Sequence, residues 1–231
     1  MDFKKNSQKV LAGLKWFFHS YIWLFVLLFI TDLVTKLVIV NYFHTHTDPI
    51  VLIGSAEKPF LQINYSINDK AAFGFGIPNN PLANRIIYCI VAFLGAGAIV
   101  GIYVYNFKKL NQITKACLAL MLTGALGNLV DRLFYSPSFL QNSVNGVVDW
   151  IDFAGIWAFI FNIADSCVVI GTIMMIVYLL VDEIKTVKKT RDQEVKESGG
   201  KVLSKEEQSR LEKTEVKEES VNVADKADIE K

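Results

Sequence analysis

The chain has 231 residues, 24 Lys+Arg against 23 Asp+Glu, a formal net charge of +1 and 52% hydrophobic residues. That balance excludes a nucleic-acid binder built on a basic face, since the basic residues form no such cluster. The average hides two parts: residues 182–231 hold 12 of the 24 basic and 14 of the 23 acidic side chains, and residues 1–181 are membrane-like.

A bilayer is crossed by about 20 mainly apolar residues, and spans are predicted at about 21–40, 83–105, 116–134 and 156–181. Lys4, Lys5, Lys9 and Lys15 precede the first span. Its length, its Asp32 and Lys36, and the lack of an A-x-A site downstream argue against a cleaved signal peptide. Asp32 and Lys36 are four apart in the order that favours an ion pair on one helix face, where they orient polar groups of a site or the helix packing. His44, His46 and Asp48 follow in a polar loop; weak metal binding there is the lesser reading, and a solvated loop is expected.

The segment 41–81 is too long for a plain connector. Val51-Leu52-Ile53 and Phe60 to Tyr65 have strand-like composition, with breaks at Gly54, Pro59 and Asn68-Asp69. A small extracytoplasmic sheet is expected, leading through Ala71–Gly76 into a loop able to cover a site. The second span carries only Arg85, near one end, where it snorkels. Cys89, Cys117 and Cys167 lie in apolar runs without a C-x-x-C partner, so they read as packing residues.

The third span ends in Gly124-Ala-Leu-Gly-Asn-Leu-Val-Asp-Arg132. Gly124 and Gly127 permit close approach by a neighbouring helix. Asn128 shares a helix face with Asp131 and Arg132. Asn128 and Arg132 are expected to contact substrate. For Asp131, pinning the helix end and shaping the site are both open. Asp149 follows the flexible stretch Ser136 to Gly146, which must fold back to bring it to the fourth span. With that span entering at Ile156, Asp165 lies about nine residues in, a depth of roughly 13 Å, with Asn162 on the same face. Lys/Arg asymmetry places both termini in the cytoplasm and the entry to the fourth span outside. After the fourth span comes a charged tail, expected to be disordered, whose basic opening rests on anionic lipid and whose Ser198-Gly199-Gly200 reads as a hinge.

Ionised carboxylates are expensive in a membrane and by default mark function. Asp149 and Asp165, if they meet, cannot both ionise easily and would share a proton. Such a pair can activate water as a base and protonate a departing amine as an acid. Asp152 is an alternative partner for Asp165, though Asp149 is better flanked by apolar residues. No H-E-x-x-H, G-x-S-x-G or Cys/His pair competes. A proton- or ion-coupled transporter using the buried aspartates stays open, without the internal repeats or broken helices usual in that class.

In order along the chain, these motifs resemble one family, the type II, lipoprotein-processing signal peptidases of bacteria. Asp32-Leu-Val-Thr-Lys36 is similar to D-x-x-[ST]-K, and Asn68-Asp-Lys-Ala-Ala-Phe-Gly74 to N-x-G-A-A-F, with Lys70 in place of Gly. Gly127-Asn-Leu-Val-Asp-Arg132 matches G-N-x-x-D-R, Val147-Val-Asp-Trp150 resembles V-V-D-F, and Phe161-Asn-Ile-Ala-Asp165 matches F-N-x-A-D. The resemblance implies an α-helical integral membrane protein of four transmembrane helices with a small extracytoplasmic sheet. It implies an aspartic endopeptidase of the cytoplasmic membrane that cuts prolipoproteins on the amino side of a diacylglyceryl-modified cysteine. Asp149 and Asp165 would be the catalytic dyad, and Asn68, Asn128, Arg132 and Asn162 would contact substrate or hold the site. No metal or organic cofactor is implied. The expected partners are the lipidated substrate and membrane lipids, with the protein a monomer.

Overall fold

A computed structural model of the chain describes residues 3–70, 77, 80–140, 145–154 and 156–197. Within Met1–Leu179 the chain begins with α1 (Phe3–Ser20) and α2 (Ile22–Phe43), then β1 (Ile50–Gly54) and β2 (Pro59–Asn68). Next come α3 (Pro81–Asn106), α4 (Gln112–Phe134), the single turn α5 (Pro137–Leu140), β3 (Val147–Asp152) and β4 (Ile160–Phe161). The last element is α6 (Ile163–Glu197), whose C-terminal part belongs to a second unit, Leu180–Lys231. The expected loop at Ala71–Gly76, the hinge at Ser198–Gly200 and the rest of the tail lie outside the described residues.

Among the described residues four helices are long and apolar enough to cross a membrane: α2, α3, α4 and Ile163–Glu194 of α6. Half of the apolar window of α4 is buried, against 17% for α2 and 6% for α3, which makes α4 the central helix. Apolar side chains of the others face outward, as lipid-exposed helices require. The chain is therefore an α-helical integral membrane protein with a small antiparallel sheet, as the sequence predicts.

Close packing around α4 rests on two glycines. A Cβ at Gly124 would stand 2.5 Å from the Ala164 carbonyl of α6, and one at Gly127 would stand 2.6 Å from Asp32 Oδ2 of α2. Only a residue without a side chain lets both neighbours approach this far.

The sheet has the order β1-β2-β3-β4, antiparallel throughout. The expected break at Asn68 falls at the end of β2, where Asn68 pairs with Val147. The sheet joins the C-terminal ends of α2 and α4 to the N-terminal ends of α3 and α6, so it occupies one end of the helix bundle. Ile39, Val40, Tyr135, Leu140 and Val148 form the buried core that fastens sheet to helices. The turn α5 is held against the sheet and α2, where Tyr65 donates to the Leu140 carbonyl at 2.7 Å and His44 Nε2 lies 3.0 Å from the Phe139 oxygen; residues 141–144 lie outside the described residues. His46 stacks on Tyr42 with ring centroids 4.2 Å apart, so the two imidazoles are committed to different partners.

One boundary departs from expectation. The fourth span starts at Ile163 and not at Ile156, because Ile160 and Phe161 pair with Asp152 and Ile151 as strand β4. Asp165 therefore lies in the first turn of α6 and not nine residues inside a span. A second addition precedes the first span. The lysine-bearing segment is itself a helix, α1, turned off from α2 at Tyr21, which has a left-handed backbone (φ 56°).

Candidate active site

Asp165 is placed by helix capping. Asn162 Oδ1 accepts from the Asp165 amide at 2.8 Å, while Asp165 Oδ2 accepts from the Asn162 amide at 3.3 Å. This reciprocal arrangement is a capping box, which satisfies two of the orphan N–H groups of a helix start. The free Asn162 amide nitrogen then points the other way, donating to Asp149 Oδ1 at 2.8 Å and to Asn128 Oδ1 at 3.0 Å. One asparagine thus touches both carboxylates.

Asp149 arrives on β3. Antiparallel pairing sets it opposite Ser66, and the diagonal neighbour Asn68 donates to its Oδ2 at 3.1 Å. The return that the sequence left to a flexible loop is made by the β2–β3 ladder. Asp152 is three residues further along the strand, so its side chain leaves the opposite face. It is taken up by Gln62 at 2.6 Å and Asn64 at 3.1 Å, away from Asp165.

Asn128 on α4 completes the arrangement by donating to Asp165 Oδ1 at 2.7 Å. Its side-chain Oδ1 accepts from Lys36 Nζ at 3.1 Å. Lys36 forms the expected ion pair with Asp32 at 2.8 Å, and a second, unexpected one with Asp131 at 3.0 Å. All three side chains are fully buried, where a charge persists only if paired. Asp32 also accepts from the Ala164 amide at 2.9 Å, so its carboxylate sits at the positive end of α6. Asp131 Oδ2 accepts from the Val148 amide at 3.1 Å, fixing the strand one residue before Asp149. Asp131 thus ties the end of α4 to the strand that carries Asp149 and to Lys36 of α2.

Arg132 points away from Asp131, as adjacent helical residues must. Its guanidinium donates to the Lys70 carbonyl at 2.8 Å and to the Asn128 carbonyl at 3.4 Å, and lies 5.4 Å from the Tyr88 ring centre. Lys70 meets these demands through its backbone, its amide donating to Asn68 Oδ1 at 3.0 Å. Lysine in place of glycine costs nothing there, because Tyr21 is the one non-glycine residue with positive φ among the described residues.

Asp149 is 3% exposed. Burial and then the neighbouring Asp165 charge push its carboxyl up to about 8, against the pull of the Asn68 and Asn162 donors. A buried acid held neutral near Asp165, at the sheet end of the bundle, has the makings of a proton-sharing pair. The structure brings the nine polar side chains singled out in the sequence, Asp32, Lys36, Asn68, Asn128, Asp131, Arg132, Asp149, Asn162 and Asp165, into one connected network. Sequence reasoning missed the capping role of Asn162 and the Lys36–Asp131 pair. An N-x-x-D spacing was the available signal for the first; nothing local signals the second.

Residues 24–181 match the family described as signal peptidase (SPase) II. A lipoprotein signal peptidase of Clostridioides difficile is 34% identical over 167 residues, 72% of this chain and 98% of that protein. One from Fusobacterium nucleatum is 33% identical over 158 residues, 68% of this chain and 84% of that protein. A solved bacterial membrane enzyme superposes with a TM-score of 0.55 at 28% identity, covering 71% of this chain and 89% of that one.

Proposed function

The chain belongs to the signal peptidase II family, and we propose that it removes signal peptides from prolipoproteins on the amino side of a diacylglyceryl-modified cysteine, using Asp149 and Asp165 as its catalytic dyad. The observation that carries this reading is Asn162, which hydrogen-bonds both carboxylates within one buried network. In the proposed reaction the ionised member of the pair takes a proton from water, and the water oxygen attacks the scissile carbonyl. The protonated member then delivers its proton to the departing amine. Asn68, Asn128 and Asn162 hold the carboxylates at fixed angles. Arg132 holds the Lys70 backbone beside Asn68, and Lys36 with Asp32 and Asp131 anchors α2, α4, β3 and α6 around the pair.

Catalysis resides in residues 1–181, and the tail from residue 182 takes no part in it, consistent with a family match that ends at Val181. The protein sits in the bacterial cytoplasmic membrane with both termini in the cytoplasm. Lys108, Lys109 and Lys115, which flank the α3–α4 turn at the end opposite the sheet, support that orientation. The site then faces the outer side.

The test is cleavage of a diacylglyceryl-modified prolipoprotein, beside its unlipidated form, by purified wild type and by Asp149→Asn and Asp165→Asn. Each variant should insert and fold yet lose about 10²-fold or more of its rate. Full activity in either refutes the dyad. Equal cutting of the unlipidated form refutes the substrate class.

A further inference from the structure

Helix α1 (Phe3–Ser20) lies outside the family match, which begins at residue 24, and the peptidase network does not use it. Its sequence is sharply divided. Val10, Leu11, Leu14, Phe17 and Phe18 recur at helical spacing and form one stripe. Lys9 and Lys15 occupy the remaining surface, Lys4 and Lys5 add charge near the start, and no Asp or Glu occurs between Phe3 and Ser20. The stripe is uncovered: Val10 is 63%, Leu14 52% and Phe18 57% exposed. Among the described residues four helices are long and apolar enough to cross a membrane, and α1 is not one of them.

The junction with α2 shows where this helix lies. Tyr21 adopts a left-handed backbone, which turns α1 away from the α2 axis. Ser20 is fully buried and secures the turn from both sides. Its hydroxyl donates to the Phe17 carbonyl at 2.7 Å and accepts from the Ile22 amide at 3.3 Å, and the Tyr103 hydroxyl of α3 bonds its carbonyl. Around this turn gather Tyr21 with Trp23, ring centres 6.3 Å apart, and Trp16 with Phe107, 6.1 Å apart. Trp and Tyr concentrate where a helix leaves the hydrocarbon for the headgroups. Lys108 and Lys109 follow immediately on the α3 side. The chain thus turns at the membrane–water interface, and α1 starts from that level.

We propose that α1 is an interfacial anchor that lies in the leaflet at the end of the bundle opposite the catalytic network, with its apolar stripe in the acyl boundary and its lysines on anionic phospholipid headgroups. Charge decides the occupant. A second copy of α1 carries the same lysines and repels, whereas an anionic leaflet complements them. Continuity with the membrane span of α2 keeps the helix within reach of that leaflet.

The full chain, with Cys89, Cys117 and Cys167 replaced by alanine and cleavage activity verified, is spin-labelled at Leu14→Cys or at Gln8→Cys. It is reconstituted in vesicles containing phosphatidylglycerol or in phosphatidylcholine alone. Collision with oxygen against a water-soluble nickel chelate reads depth. The Leu14 label should lie about 5–10 Å into the boundary and the Gln8 label in water. Neutral vesicles, or Lys9→Gln with Lys15→Gln, should lower the docked-to-undocked ratio, by about 30-fold for two lysines. A Leu14 label as accessible to nickel as the Gln8 label in anionic vesicles overturns the proposal. So does one shielded from both probes, which would mean a protein partner, or docking that ignores lipid charge.

Discussion

Replacing Asn162 by serine separates the two jobs of that residue. Serine caps a helix about as well as asparagine, so the bond to the Asp165 amide can persist. The amide donor 2.8 Å from Asp149 Oδ1 is lost. A hydrogen bond to a charged group contributes about 1.5–3 kcal/mol, and at about 1.4 kcal/mol per pH unit its removal lifts the Asp149 carboxyl by about one to two pH units. The sign follows from the donor favouring the ionised carboxylate, so that without it protonation comes more easily. If the working pair carries one proton, activity falls as pH rises through the Asp149 value, about 8 in the native chain. The alkaline limb of kcat should therefore move upward in Asn162→Ser, while the rate at the optimum drops about 10²-fold through lost orientation. Asn162→Ala should show the same limb and rate and be about 1 kcal/mol less stable than the serine variant, having lost the cap as well. Lipoprotein cleavage across pH and unfolding in detergent measure all three. An unshifted alkaline limb in the serine variant refutes the coupling of Asn162 to Asp149, and equal stability of the two variants refutes the cap.

Lys36→Met strands Asp32 and Asp131 as buried carboxylates and should cost about 3–5 kcal/mol in detergent unfolding; adding Asp32→Asn and Asp131→Asn should recover part of the loss. Gly127→Ala forces a Cβ within 2.6 Å of Asp32 Oδ2 and 2.9 Å of Ala164 Cβ, and should cost about 1–3 kcal/mol. Gly97→Ala, with nothing within 4 Å, should be neutral or stabilising by up to about 1 kcal/mol. Because the folded Asp149 value of about 8 lies above its ordinary 3.8, the folded state binds more protons between these limits. Stability is then greatest below the ordinary value and declines as pH rises towards 8. The unfolding midpoint should fall over that range in the wild type and fall less in Asp149→Asn, which mimics the neutral acid.

The membrane spans were legible because an apolar run of such length has few other uses, and Asp32–Lys36 was legible because helical spacing alone makes them neighbours. Strands β1 and β2 announced themselves through strand-like composition broken at Gly54, Pro59 and Asn68-Asp69. The start of α6 was not legible. Ile160 and Phe161 are as apolar as the helix that follows, so hydropathy merged a strand into a span, and Asn162 could not be seen as a cap while the helix seemed to begin six residues earlier. The approach of Asp149 was hidden for a different reason. It depends on β2–β3 pairing across about eighty residues of chain, and on an Asp131 to Val148 bond that no local pattern encodes. Lys36 and Asp131 are likewise joined by tertiary packing alone.

The distribution of charge in the network bears on where a shared proton would sit. Four carboxylates, Asp32, Asp131, Asp149 and Asp165, are gathered with two cations, Lys36 and Arg132. Lys36 lies within 3.0 Å of both Asp32 and Asp131, and its remaining donor goes to Asn128 Oδ1. Arg132 donates to the backbone carbonyls of Lys70 and Asn128. Among the described residues, Asp149 receives only neutral amide donors, from Asn68 and Asn162. Neutral donors stabilise a carboxylate less than an ammonium does. Asp165 likewise receives only such donors among the described residues, from Asn128 and the Asn162 amide. Its place in the first turn of α6 favours its ionised form, so the cluster sheds its excess charge most cheaply by protonating Asp149. Exchanging Asn68 for lysine inverts that logic by bringing a cation to Asp149. Such a variant should hold the carboxylate ionised, flatten the pH dependence of stability and lose cleavage through want of an acid. Cleavage retained at the native optimum would show that the proton is held elsewhere.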